Sequence, residues 1–103
     1  MNAPSEIPFD PEGFEKALAL IKSLNNRNRL LILCLLCYRE ANVSEMAEAS
    51  GLSMSAVSQH LSVMKNANLI AGRKESQTVT YRLTSEEVRP LIELLKDMYC
   101  ATE

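Results

Sequence analysis

A chain of 103 residues, 47% of them apolar and 23% charged, with a formal charge of −2, is expected to form one globular domain, 1–103, with residues 1–9 as a flexible N-terminal arm. No apolar run approaches the ~20 residues of a membrane span, and Met1 to Pro11 carries prolines and acids where a signal peptide needs a basic and then an apolar stretch; the expectation is a cytoplasmic protein with no membrane partner. Three cysteines, an odd count without an export signal, argue against a disulfide framework and for reduced thiols whose chemistry would be reactive or regulatory.

Asp10-Pro11 pairs an N-cap residue with proline at the first helical position and starts a first helix. Phe14, Ala17, Leu18, Ile21 and Leu24 form its apolar stripe, opposite Glu12, Glu15, Lys16 and Lys22. Asn25-Asn26 breaks it. A second helix runs from Arg27 to Cys37, apolar nearly all round and therefore expected to be buried on most sides. After Ala41-Asn42-Val43, Ser44 is placed to cap a short helix holding Met46 and Ala47, which Gly51 ends; Ser53 caps a longer one with Ala56, Val57, Leu61 and Met64 inward. Two helices joined through glycine in this way predict a helix-turn-helix. From Arg73 to Leu83 the pattern alternates and ends in β-branched residues, as in a hairpin wing. Thr84 and Glu87 have capping-box spacing ahead of a final amphipathic helix with Val88, Leu91, Leu94, Leu95 and Met98, where Pro90 falls within the first turns. The predicted fold is mainly α with a small β-hairpin, in the order α-α-α-α-β-β-α.

A negative chain is at first sight a poor partner for phosphate, but the charge is unevenly spread. Between Ser53 and Arg82 stand Lys65, Arg73, Lys74 and Arg82 against one acid, Glu75, a net of +3 inside a total of −2. That suits a protein touching double-stranded DNA with one face, and equally an ordinary solvated surface. On the longer helix Ser58 and Gln59 are candidates for reading base edges, while Ser53 and Ser55 near its N-terminus suit phosphate. Lys65, Arg73 and Lys74, with Gln77 in the wing, would add backbone contacts. The competing reading is a serine-rich solvated face; helix-turn-helix and wing in sequence favour function.

The stretch Ser53-Met54-Ser55-Ala56-Val57-Ser58-Gln59-His60-Leu61, with Leu69-Ile70 running to Tyr81, resembles the ArsR/SmtB transcriptional regulators, and the resemblance covers nearly the whole chain. Arg27-Asn28-Arg29-Leu30 also looks like that family's second helix, with Asn26 and Asn28 where other members often have Asp-Pro and Thr. The resemblance implies a winged helix-turn-helix homodimer, joined through its first and last helices and placing two recognition helices in major grooves about 34 Å apart on an imperfect inverted repeat. His60 resembles the family's histidine before a buried leucine, and is more often a packing or phosphate-contact residue than a ligand.

Two metal-sensing ligand sets of that family are not matched. Asn42 and Ser44 occupy the cysteine places of its thiolate site, and the final helix, Glu86 to Ala101, has no histidine, so neither a metal nor a cofactor is expected. A metal-responsive repressor is the second reading. Cys34 in the second helix and Cys100 at the end of the last resemble instead the dithiol branch that includes BigR, SqrR and HlyU, which implies Cys34 and Cys100 as a sensing pair for low-molecular-weight persulfides or related oxidants. Cys37 reads as a small core residue, and a buried Cys34 would be ordinary too. The resemblance leaves open a repressor or an anti-repressor. Cys34-Leu35-Leu36-Cys37 formally matches the thiol oxidoreductases, but it lies inside an apolar helix with no βαβ pattern around it, so an enzyme is not expected. A winged helix used only for protein contact is a third class.

Overall fold

The structure, a computed structural model, describes residues 6–100; the first five positions of the expected arm and Ala101, assigned above to the last helix, lie outside the described residues. Helix α1 spans Pro11–Leu24, and its start is fixed as expected: the Asp10 carboxylate accepts from the Gly13 N–H at 2.6 Å. Phe9 meets Phe14 edge to face with centroids 6.0 Å apart, a hydrophobic staple across the cap that holds the entering chain against the helix. None of α1 is buried.

Helix α2 spans Arg27–Leu36, capped by Asn26, whose side-chain oxygen accepts from the N–H groups of Asn28 and Arg29 at 3.0 Å each. Its Ile32, Leu33 and Leu36 are fully enclosed, whereas Leu31 is exposed, so burial is less complete than the all-round apolar pattern suggests.

The chain then makes a two-residue strand, β1, Ala41–Asn42, which no local pattern announces. Helix α3, Val43–Ser50, follows directly, and its cap is Asn42 rather than Ser44. Asn42 accepts from the Glu45 N–H at 2.8 Å and Glu45 accepts from the Asn42 N–H at 2.9 Å, a reciprocal box that Ser44, three residues before Ala47, has no acid to complete. That backbone bond, with help from Arg39, holds the Glu45 carboxyl below the usual carboxylate range. Gly51 ends α3 at φ 78°, a left-handed position that favours glycine. Helix α4, Met54–Asn66, is capped by the Ser53 hydroxyl, which accepts from Ala56 N–H at 3.1 Å. It closes with Asn68 at φ 62°, the Leu69 N–H reaching back to Met64 O and the Asn68 N–H to Lys65 O, each at 3.0 Å.

Strands β2, Ile70–Glu75, and β3, Thr78–Leu83, form the wing around Ser76-Gln77, and β1 pairs with the far edge of β3, so the sheet has three strands in the order β1-β3-β2. Gly72 lies opposite Tyr81, and a Cβ there would stand 2.9 Å from Val79 Cγ1 and 3.1 Å from Tyr81 Cε1. Helix α5 spans Val88–Tyr99. The expected Thr84–Glu87 box is absent because the Thr84 and Ser85 N–H groups bond the Leu69 carbonyl, at 2.9 and 3.2 Å, and the Ser85 hydroxyl engages both the Glu87 carboxylate and its N–H. Pro90 takes the third helical position, where no intrahelical N–H is required.

The core gathers Ile32, Leu33 and Leu36 of α2, Met46 of α3, Val57, Leu61 and Met64 of α4, Leu69 and Ile70 at the wing's root, and Val88 and Ile92 of α5. No described helix is long and apolar enough to cross a membrane. Leu33, at 0% exposure, stands at its centre. Leu33→Ala is expected to cost about 2–5 kcal/mol of stability, read as a lowered denaturant midpoint at unchanged slope.

Candidate functional site

The inward stripe of α4 dictates what it leaves outside. With Val57, Leu61 and Met64 buried, Ser55, Ser58, Gln59, Ser62 and Lys65 all emerge exposed on one polar face that contains no acid. Hydroxyl and amide groups on such a face can bond base edges, and the N-terminal turn adds free backbone N–H groups for a phosphate. Ser53 is engaged as the helix cap, its oxygen accepting a backbone bond while its proton stays free to donate. His60 is half-buried at the margin of the core stripe. Two exposed apolar side chains on α4, Met54 and Val63, went unnoticed in the sequence; their only signal there is that neither belongs to the inward stripe.

The wing carries Lys74 and Gln77 exposed near its tip, but Arg73 is already occupied. Its Nη2 donates to Glu40 Oε1 at 3.0 Å and its Nε to Glu75 Oε2 at 3.2 Å. The bond to Glu75 and then that to Glu40 raise the Arg73 pKa further; in return Arg73, with the Thr80 hydroxyl, holds the Glu75 carboxyl below its usual range. Arg82, on the same sheet, is exposed and makes no ion pair among the described residues.

All three thiols are free. Cys34 is half-buried on α2, Cys37 is buried at that helix's end, and Cys100 is exposed at the end of α5. Burial pushes the Cys34 thiol up, with a smaller push in the same direction from Cys100. Burial likewise raises Cys37, opposed by Arg89 and assisted by Cys34 and Glu93. Polar ties hold α5 to the end of α2: Arg89 Nη1 donates to the Cys37 carbonyl, Tyr38 donates to Glu93 at 3.1 Å, and Lys96 donates to the Tyr38 hydroxyl at 2.9 Å. No group of three or more His, Cys, Asp or Glu among the described residues is arranged to hold a metal ion.

Helices α1 and α5 leave an apolar surface open, with Phe14 and Ile21 on one and Leu94, Leu95, Met98 and Tyr99 on the other. Ile21 at 59% and Met98 at 60% exposure belong to a group of large apolar side chains on these two helices, the kind of surface that suits protein contact.

Residues 26–71 match the family model described as bacterial regulatory protein, arsR family. The chain is 43% identical over 99 residues to the transcriptional activator HlyU of Vibrio cholerae, across 96% of this chain and 92% of that one. The reduced form of HlyU from Vibrio cholerae superposes with a TM-score of 0.82 at 44% identity, covering 87% of this chain and 95% of that one. The transcriptional repressor BigR from Xylella fastidiosa does so with 0.84 at 26% identity, covering 88% and 93%. A homodimeric winged helix-turn-helix DNA-binding domain from Mycobacterium bovis gives 0.72 at 30% identity, covering 82% and 79%.

The thiol environments predict an order of reaction. Iodoacetamide at neutral pH is expected to label exposed Cys100 first, Cys34 more slowly and buried Cys37 last, as read by peptide mass analysis. Because burial keeps Cys34 and Cys37 protonated, their labelling should accelerate by about tenfold per pH unit while pH stays below the raised thiol pKa values. Labelling of Cys37 ahead of Cys100 would contradict these placements.

Proposed function

The chain belongs to the ArsR family of bacterial regulatory proteins, and from that premise we propose that it is a homodimeric transcriptional regulator that binds an imperfect inverted repeat of duplex DNA and releases it when persulfides link Cys34 to Cys100. What supports the effector reading is the placement of the free thiols, Cys34 half-buried on α2 and Cys100 exposed at the end of α5, the two helices that polar bonds tie together.

DNA binding begins with α4 in the major groove. Ser58 and Gln59 read base edges; Ser53 and Ser55 secure phosphate at the helix start and His60 does so from mid-helix; Lys65, Lys74, Arg73 and Gln77 extend contact along the backbone and into the wing. A second copy meeting the first along the apolar sides of α1 and α5 covers Phe14, Ile21, Leu94 and Met98 and repeats α4 at groove spacing.

The effector chemistry balances without an added oxidant. A thiolate of the pair attacks the outer sulfur of a low-molecular-weight persulfide, forming a protein persulfide and releasing the small thiol. The other thiolate attacks the inner sulfur, expelling hydrosulfide and leaving Cys34 and Cys100 joined. If a second persulfide first extends the chain, one more sulfur remains in the bridge, so the final separation selects the product. Joining α5 to α2 moves the helix that carries half of the dimer contact, and with it the spacing of the two α4 helices.

Gel-shift titration with inverted-repeat duplexes tests the DNA contacts. Ser58→Ala and Gln59→Ala are each expected to cost about 1–3 kcal/mol of discrimination, relaxing preference at one base per half-site. Ile21→Arg should shift sedimentation from dimer to monomer and weaken operator binding with it. Persulfide treatment should release wild-type protein with a mass gain or loss matching a sulfur bridge, and leave Cys34→Ser and Cys100→Ser bound. Release of those two variants by persulfide would refute the thiol assignment; failure of any duplex to bind at low salt would refute the DNA-binding role.

A further inference from the structure

The register of the small sheet puts Arg73 opposite Thr80 and Thr80 opposite Asn42, so these three residues form one row across β2, β3 and β1. Side chains alternate along a strand, so Glu75, two residues beyond Arg73, shares its face, and Glu40, just ahead of β1, reaches the same arginine. The Arg73 guanidinium is held at two points: Glu75 takes its Nε and Glu40 one terminal nitrogen, while the Thr80 hydroxyl donates to Glu75 at 3.1 Å. Two carboxylates on one guanidinium leave that site negative, in the element that carries the protein's basic character. All three side chains are about half exposed, so solvent screens the bonds and a phosphate can compete for the arginine.

We propose that Glu40 and Glu75 act as an internal counter-ion that offsets Arg73 against a DNA phosphate, and that the two acids thereby set the strength and salt sensitivity of wing docking. This role presupposes the DNA binding proposed above. The guanidinium fork suits either anion, and a phosphate on any of its N–H groups, bonded or open, meets the negative charge of the two carboxylates beside it. In the native chain the acids offset most of what Arg73 contributes, so its phosphate contact is weak beside that of Lys74. Without them Arg73 contributes a full cation, and each phosphate neutralised adds about 0.9 to the slope of log affinity against log salt.

The experiment measures binding of wild type, the double variant Glu40→Gln/Glu75→Gln, Arg73→Gln, the triple combination, and Glu86→Gln to one mixed-sequence duplex over a salt series. Phosphate contacts are independent of sequence, so no operator is required. Glu86→Gln removes an exposed acid that has no bond to Arg73 and measures the general effect of net charge. The double variant is expected to bind about threefold to tenfold more tightly at low salt, with a slope steeper by about one unit. Adding Arg73→Gln should cancel that gain, whereas Arg73→Gln alone should change the wild-type slope by much less than one unit. A double variant no tighter than wild type, or no tighter than Glu86→Gln, overturns the counter-ion role while leaving DNA binding intact. A wild-type chain that binds no duplex at low salt overturns both.

Discussion

Everything in this molecule is arranged around the burial of α2. Ile32, Leu33 and Leu36 fill the centre of the core, and Met46, Val57, Met64 and Val88 close over them from three other helices. The buried side of each neighbour is consumed by this contact, and the direction left over decides its use. For α4 that remainder is a hydroxyl- and amide-bearing face; for α1 and α5 it is an apolar one. Cys34 and Cys37 lie on the same central helix, so any covalent change at Cys34 acts on the element that every other helix leans against.

Electrostatics refine what packing arranges. The chain carries −2 in total, yet the exposed side of α4 has no carboxylate, so the acids lie on other elements. The wing is different, because Arg73 is balanced within the fold by Glu40 and Glu75. Counting basic residues along the chain therefore overstates the positive field of the hairpin. The thiols follow a similar logic: burial keeps Cys34 and Cys37 protonated, so only a reagent able to reach and ionise them responds, while Cys100 stands in solvent.

Much of the fold was legible because side-chain spacing translates directly into direction. Val57, Leu61 and Met64 recur at three and four residues and are all buried, and Asp10, Ser53 and Gly51 mark helix ends by chemistry that acts within a single turn. Of two adequate capping residues, Asn42 and Ser44, only Asn42 has a glutamate three positions on, a signal present in the sequence but passed over. The misplaced start of α5 has another origin, since the competitor for the Thr84 N–H is the carbonyl of Leu69 across the sheet's root. The bond from Arg73 to Glu40 spans 33 residues, and no window along the chain contains both ends. The relation of Cys34 to Cys100 likewise depends on the rotational phase of two helices, which neither helix specifies alone.

Strand β1 is only Ala41 and Asn42, too short to stabilise a sheet by itself, but it fastens the chain to Tyr81 and Thr80 as it leaves α2 and before it enters α3. Four residues, 37–40, separate the last turn of α2 from that stitch. They leave little slack, so a roll of α2 about its long axis pulls on β3 and is felt at the hairpin, and Asn42, as both stitch and cap, passes the same pull to the first turn of α3. A displacement of α2 would thus reach α3 and the hairpin along the backbone itself, by leverage, with no need for a relay of side chains.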